Sequence, residues 1–133
     1  MKYLKLTNEV GKVGEDTACK YLLNKGYSII VRNYLKKWGE IDIVAKKLKN
    51  LYFIEVKTVS RENLREISHE TDTYRPEDNI HQRKLERLSR VIQSYLAENY
   101  KDTEPEWQFG VITVYLDLKS RGAKVHFIKD IVL

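Results

Sequence analysis

The stretch Gly39-Glu40-Ile41-Asp42-Ile43-Val44-Ala45, followed after a Lys-rich turn by Phe53-Ile54-Glu55-Val56-Lys57, decides the fold. Two apolar, β-branched runs each carry an acidic residue where a buried strand would take Val or Ile. A charge is costly to bury unless it is paired or bound to a metal. Strands alternate faces with period two, so Glu55 and Lys57 share one face while Ile54 and Val56 point the other way into the core. A hairpin turning near 47–50 brings Asp42 next to Glu55. Two carboxylates and one ammonium then converge.

The rest of the chain is read outward from this pair. Residues 7–25 predict a helix, capped by Thr7 or Asn8 and ended by Gly26. Val10, Val13, Ala18, Tyr21 and Leu22 form its apolar stripe. Gly11 and Gly14 weaken that helix relative to Ala, and their expected use is close approach to a strand or a phosphate. Strands are expected at 26–33, 38–46 and 51–58, joined as an antiparallel meander. Residues 59–79 are largely polar, with Val59, Leu64 and Ile67 the aliphatic side chains, and are expected as a flexible loop or short helix at the mouth of the site. A second helix follows from Asp78 to Asn99, with Ile80, Leu85, Leu88, Val91, Ile92, Tyr95 and Leu96 on its apolar face. Strands at 107–116 and 124–128, turned by Ser120-Arg121-Gly122, complete the order α-β-β-β-α-β-β. The helix between the third and fourth strands permits a parallel neighbour. At 133 residues this is one α/β domain.

Composition narrows the function. The net charge is +5, and the first 60 residues carry 12 Lys or Arg against 6 Asp or Glu. The basic half therefore contains the acidic cluster, an arrangement that suits a polyanion held through a metal cation. Cys19 is the only cysteine, which excludes an internal disulfide and fits a reducing compartment. With no apolar h-region at 1–6 and no run near the ~20 residues that span a bilayer, the expectation is a soluble cytoplasmic protein. His69, His81 and His126 are scattered and do not suggest zinc.

The chemistry follows from the residue types. Mg²⁺ takes hard oxygen ligands, commonly one or two carboxylates with water and phosphate oxygens. Asp42 and Glu55 are the candidate metal ligands, with the Val56 carbonyl and Glu15 completing the shell. Lys57 is placed to orient water and offset charge building on phosphorus. That makes Asp42, Glu55, Lys57 and Glu15 the candidate catalytic set for phosphodiester hydrolysis. Lys36 and Lys37, together with Gln82, Arg83, Lys84 and Arg61, are candidate nucleic-acid contacts. The adjacent Tyr34 and Trp38 are weighed as base-stacking residues against core or rim packing, and Arg87 and Arg90, on the polar side of the second helix with Lys84, as site-facing residues against a solvated face. The opposing reading is that the carboxylates form surface ion pairs worth ~0–1 kcal/mol and that the basic positions are solvated faces.

The chain also resembles a known family. Gly11-X-X-Gly14-Glu15-X-X-Ala18-X-X-Tyr21-Leu22, Gly26-Tyr27, Arg32-Asn33-Tyr34, the 39–45 run and Phe53-Ile54-Glu55-Val56-Lys57-Thr58 together resemble the YraN-like family of small bacterial proteins. That family is similar to the PD-(D/E)XK nuclease superfamily and to archaeal Holliday-junction resolvases. The resemblance implies a restriction-endonuclease-like mixed sheet flanked by helices, and a Mg²⁺- or Mn²⁺-dependent endonuclease acting on DNA, branched or damaged DNA included. It assigns Asp42, Glu55 and Lys57 to the catalytic motif, Glu15 to the helical acid, and Lys84 and Gln82 to helix positions near the site. Its branch-cutting relatives work as dimers, which makes a homodimer the implied assembly. The chain departs from the family's pattern at Val59, where Arg is usual, and at Gln108-Phe109-Gly110, where Arg-Phe-Asp is common. These departures favour the alternative of a nucleic-acid-binding module that kept the fold without turnover.

Overall fold

The computed structural model describes residues 2–61 and 82–133. Its elements are α1 (Lys2–Asn24), β1 (Ser28–Lys36), β2 (Gly39–Lys47), β3 (Asn50–Arg61), α2 (Gln82–Asn99), β4 (Trp107–Asp117) and β5 (Ala123–Ile128). The five strands form one sheet in the order β1-β2-β3-β4-β5. β1, β2 and β3 are an antiparallel meander, β4 lies parallel to β3, and β5 returns antiparallel to β4. The expected order and the mixed sheet are therefore present. Among the described residues, no helix is long and apolar enough to cross a membrane.

Among the described residues, each face of the sheet carries one helix and one core. Ala18, Cys19 and Leu22 of α1 pack on Ile43, Ala45, Tyr52, Ile54, Ile112, Val114 and Leu116. Leu88, Val91, Ile92, Tyr95 and Leu96 of α2 pack on Ile41, Val44, Leu51, Phe53, Phe109 and Val111. Period two along β3 and β4 thus feeds two buried layers, each large side chain contributing about 1.5–3 kcal/mol when fully buried. Cys19 sits in the first layer, where burial pushes its thiol pKa up, as suits a packing residue.

Helix α1 ends as its sequence demands. Gly26 adopts φ 92°, Tyr27 N–H donates to Leu22 O at 2.9 Å and Gly26 N–H to Leu23 O at 3.1 Å. This is a Schellman cap, with Leu22 and Tyr27 both in the core beside it. The β2–β3 turn consists of Leu48 and Lys49 between the Lys47↔Asn50 pair, with Leu48 at φ 55°. Gly14 fulfils the close-approach expectation. A Cβ there would lie 1.9 Å from Thr58 Oγ1, so α1 rests directly on β3.

Several boundaries differ from expectation. Helix α1 starts at Lys2, not Thr7, because Lys2–Leu6 holds helix-forming residues and no breaker. Val13 is half exposed rather than part of the stripe. Residues 59–61, expected to open the loop, continue β3 and pair with Tyr115, Leu116 and Asp117, because a parallel partner fixes polar residues as strand. The remainder of that expected loop, along with Ile80, His69 and His81, lies outside the described residues.

Gly14→Ala should lower stability by about 1–3 kcal/mol through overpacking, measured by urea denaturation. Adding Thr58→Ala should restore part of the loss, because it removes the oxygen nearest the new methyl group.

Candidate active site

The sheet forks at the carboxylates. The β2–β3 ladder ends at Ile43↔Ile54. Beyond it β2 stays with β1, pairing Ile41, Glu40 and Gly39 with Tyr34, Leu35 and Lys36, while β3 stays with β4 out to Arg61. The alternation of faces also breaks here, with Ile41 in the α2 core and Ile43 in the α1 core. Asp42 stands at the break. Its Oδ2 accepts the Val56 backbone N–H at 2.7 Å, in place of the next ladder bond. In an extended strand N–H and C=O leave on the same edge, so the Val56 carbonyl also faces the fork.

β1 is shaped to hold the helical acid. It carries a bulge between Ile29 and Val31, and Asn33 adopts φ 54° within the strand. Asn tolerates this left-handed conformation better than most side chains. Asn33 Nδ2 donates to Glu15 Oε1 at 3.0 Å, and Arg32 Nε donates to the same oxygen at 3.1 Å. Arg32 also bridges to Asp16 at 2.8 Å. One oxygen of Glu15 is thus committed to β1, yet its charge still acts on Asp42.

Asp42, Glu40, Glu55 and Lys84 line one cleft of about 650 Å³. Lys84 Nζ lies 2.6 Å from Glu55 Oε1. Burial and the charge of Glu55 push the Asp42 pKa up to about 7, with Glu15 and Glu40 adding to the rise and the Val56 N–H opposing it. Burial and the charges of Glu15 and Glu55 raise Glu40 as well. Four carboxylates therefore repel one another across the fork, and the site favours positive charge.

Lys57 lies on the Glu55 face by strand period and pairs in register with Thr113. Thr113 is fully buried, and its hydroxyl has no hydrogen-bond partner among the described residues. Val56 packs on the α1 core, as expected. Among the described residues, no three His, Cys, Asp or Glu side chains form a ready-made chelate. The oxygens that fit a hard cation are those of Asp42, Glu55 and the Val56 carbonyl, with waters and a phosphate to complete the shell.

The expected nucleic-acid contacts separate. Lys84 and Lys37 line the cleft, whereas Arg83 is exposed outside its lining. Lys36 is paired with Glu98, which also accepts the Tyr34 hydroxyl at 2.8 Å, so this lysine braces β1 against α2. The side chains of Arg61 and Gln82 lie outside the described residues. Four further residues join the lining, and of these only Glu40 carried no expected role. Arg87 and Arg90 continue the Lys84 side of α2 at three-residue intervals, and Glu40 and Trp38 join them in the lining. The two-residue spacing of Glu40 and Asp42 was the available signal for Glu40.

Comparison with known proteins identifies the family. Residues 14–114 match the family described as Uncharacterised protein family UPF0102. A UPF0102 protein of Caldicellulosiruptor bescii is 30% identical over 122 residues, spanning 92% of this chain and 95% of its own length. Others from Flavobacterium psychrophilum and Campylobacter lari are 35% and 38% identical, spanning 84% and 80% of this chain and 85% and 84% of their own lengths. The chain belongs to this family, which is the YraN-like family that its motifs resemble.

The raised Asp42 pKa has a stability consequence. The folded value of about 7 exceeds the unfolded value of ~3.9. The native state therefore holds this proton more tightly, and the resulting stability is full below the unfolded value and lost as pH rises through about 7. Asp42→Asn should stabilise the metal-free protein at pH 8 by about 0.5–2 kcal/mol, with the gain disappearing near pH 4. Thermal melts at the two pH values check this.

Proposed function

We propose that this chain is a metal-dependent endonuclease of restriction-endonuclease-like fold, related to the PD-(D/E)XK superfamily, that hydrolyses DNA phosphodiester bonds using Mg²⁺ or Mn²⁺. The observation that carries the reading is the fork at Asp42 and Glu55, where mutually repelling carboxylates meet a basic cleft wall and Lys57 follows on the Glu55 face. Branched or damaged DNA is the proposed substrate class, on the likeness of the motif string to junction resolvases.

Asp42 and Glu55, with the Val56 carbonyl, would hold the ion, and Glu15 would adjust the field from behind Asp42. When bound, the ion supplies Lewis-acid activation and neutralises phosphate charge. The Val56 N–H fixes the Asp42 carboxylate, so that ligand needs little reorganisation. Lys57 orients the attacking water and stabilises charge as it builds on the phosphoryl oxygens. Lys84 and Arg87 hold the flanking backbone by charge-assisted hydrogen bonds.

A second reading, a nucleic-acid-binding module without turnover, is favoured by one observation. The Lys84 ammonium already sits on Glu55, where an entering cation must displace it. Lys84→Met should then raise Mn²⁺ affinity several-fold in calorimetry, while Glu55→Gln should abolish binding. Mn²⁺ binding absent from both wild type and Lys84→Met would favour the binding module.

The direct test is cleavage of branched, duplex and single-stranded DNA with Mn²⁺. Asp42→Asn and Lys57→Ala should each lose about 10²–10³-fold or more in rate. Cleavage that persists unchanged in both variants would refute the assigned site.

A further inference from the structure

We propose that Trp38 and Arg90 form a subsite for an unpaired nucleobase beside the carboxylates, so that the strand reaching the site is single-stranded or frayed. This inference rests on the reading that the ligand is nucleic acid. It does not depend on turnover.

Lys37 and Trp38 are the two-residue turn between the Lys36↔Gly39 pair. The turn is seated on α2, since a Cβ at Gly39 would lie 3.0 Å from Val91 and 3.7 Å from Arg87. Trp38 packs partly on the α2 core and also lines the cleft. The exposed Arg90 guanidinium lies over the indole, 4.4 Å from the ring centroid. Stacked on Trp38, the flexible arginine is preorganised as a flat cationic shelf.

A second observation is independent of the stack. The Trp38 Nε1 donor is buried and has no acceptor among the described residues. An unmet buried donor is costly, so a small shift of the indole that opens Nε1 to an acceptor in the cleft would be favoured. Base carbonyls and phosphate oxygens are both suitable. The shelf therefore offers a planar cation backed by an indole, with a spare N–H donor beside it.

These features select unpaired bases. Stacking on a protein plane requires an exposed base face, which a duplex covers with neighbouring base pairs. Arginine planes and aromatic rings are the usual platforms for such bases. The cleft volume of about 650 Å³ suits one or two nucleotides, not an enclosed duplex. Trp38 precedes Asp42 on the same hairpin, so a base held there keeps the adjoining backbone near the carboxylates.

The test is fluorescence titration in EDTA at low salt, with Trp107→Phe so that Trp38 is the only tryptophan. The probes are a short oligothymidylate, a duplex of equal length and an abasic strand of equal charge. The oligothymidylate should quench Trp38 and bind more tightly than either of the others. Trp38→Leu and Arg90→Gln should weaken it about tenfold and leave duplex binding unchanged, and Trp38→Phe should retain most of the affinity. Urea melts of each variant exclude loss of folding. Equal binding of the abasic strand, equal losses on single strand and duplex, or absent quenching would each overturn the subsite. Failure to bind any nucleic acid would overturn both this inference and the nuclease reading. Single-strand binding without cleavage under Mn²⁺ would sustain the subsite and overturn only the turnover claim.

Discussion

The site depends on one substituted hydrogen bond. Where the β2–β3 ladder should continue past Ile43↔Ile54, the Asp42 carboxylate takes the Val56 N–H instead. A side-chain acceptor in place of a backbone one keeps the donor satisfied while letting the two strands part. The opening admits Glu40 and Glu55 to the same cleft as Asp42. The cost is electrostatic, visible in the upward displacement of Asp42 and Glu40. Function and stability are opposed at this point, as is common where charges are gathered for a ligand.

The surrounding structure keeps the opening rigid. Gly14 brings α1 onto Thr58, and the next residue, Glu15, is gripped by Arg32 and Asn33 of β1. On the other face, α2 contributes Lys84 to Glu55 and packs Val91 against the β1–β2 turn. Helix α1 therefore controls the acidic back of the site and helix α2 the basic wall. The two separate cores fix these elements independently.

Much of this was legible because it is encoded locally. Gly26 marked the helix end, a two-residue turn at 48–49 set the Asp42–Glu55 register, and β-branched runs marked every strand. What escaped depends on distant partners. Nothing around Lys36 reveals Glu98, so a lysine expected at the ligand serves as a brace. Arg87 and Arg90 read as a solvated helix face until the β1–β2 turn is set against them. Arg32-Asn33 was recognisable as a motif, but its purpose depends on Glu15 and Asp16 of α1, partners that the local sequence does not reveal. Ser60 and Arg61 look like loop because their strand character is imposed by β4.

The parallel pairing of β3 with β4 separates the site's components in time. The β2–β3 hairpin closes over a short contour, whereas β4 must wait for the whole crossover containing α2 to be traversed. Long-range strand pairing is slow compared with hairpin closure. The hairpin can therefore juxtapose Asp42 and Glu55 through local contacts, whereas Lys84 comes from a helix, 29 residues beyond Glu55. The carboxylates sit on the element that closes locally and the ammonium partnering Glu55 on the long crossover, so the acidic half of the cleft is coded more locally than its basic wall.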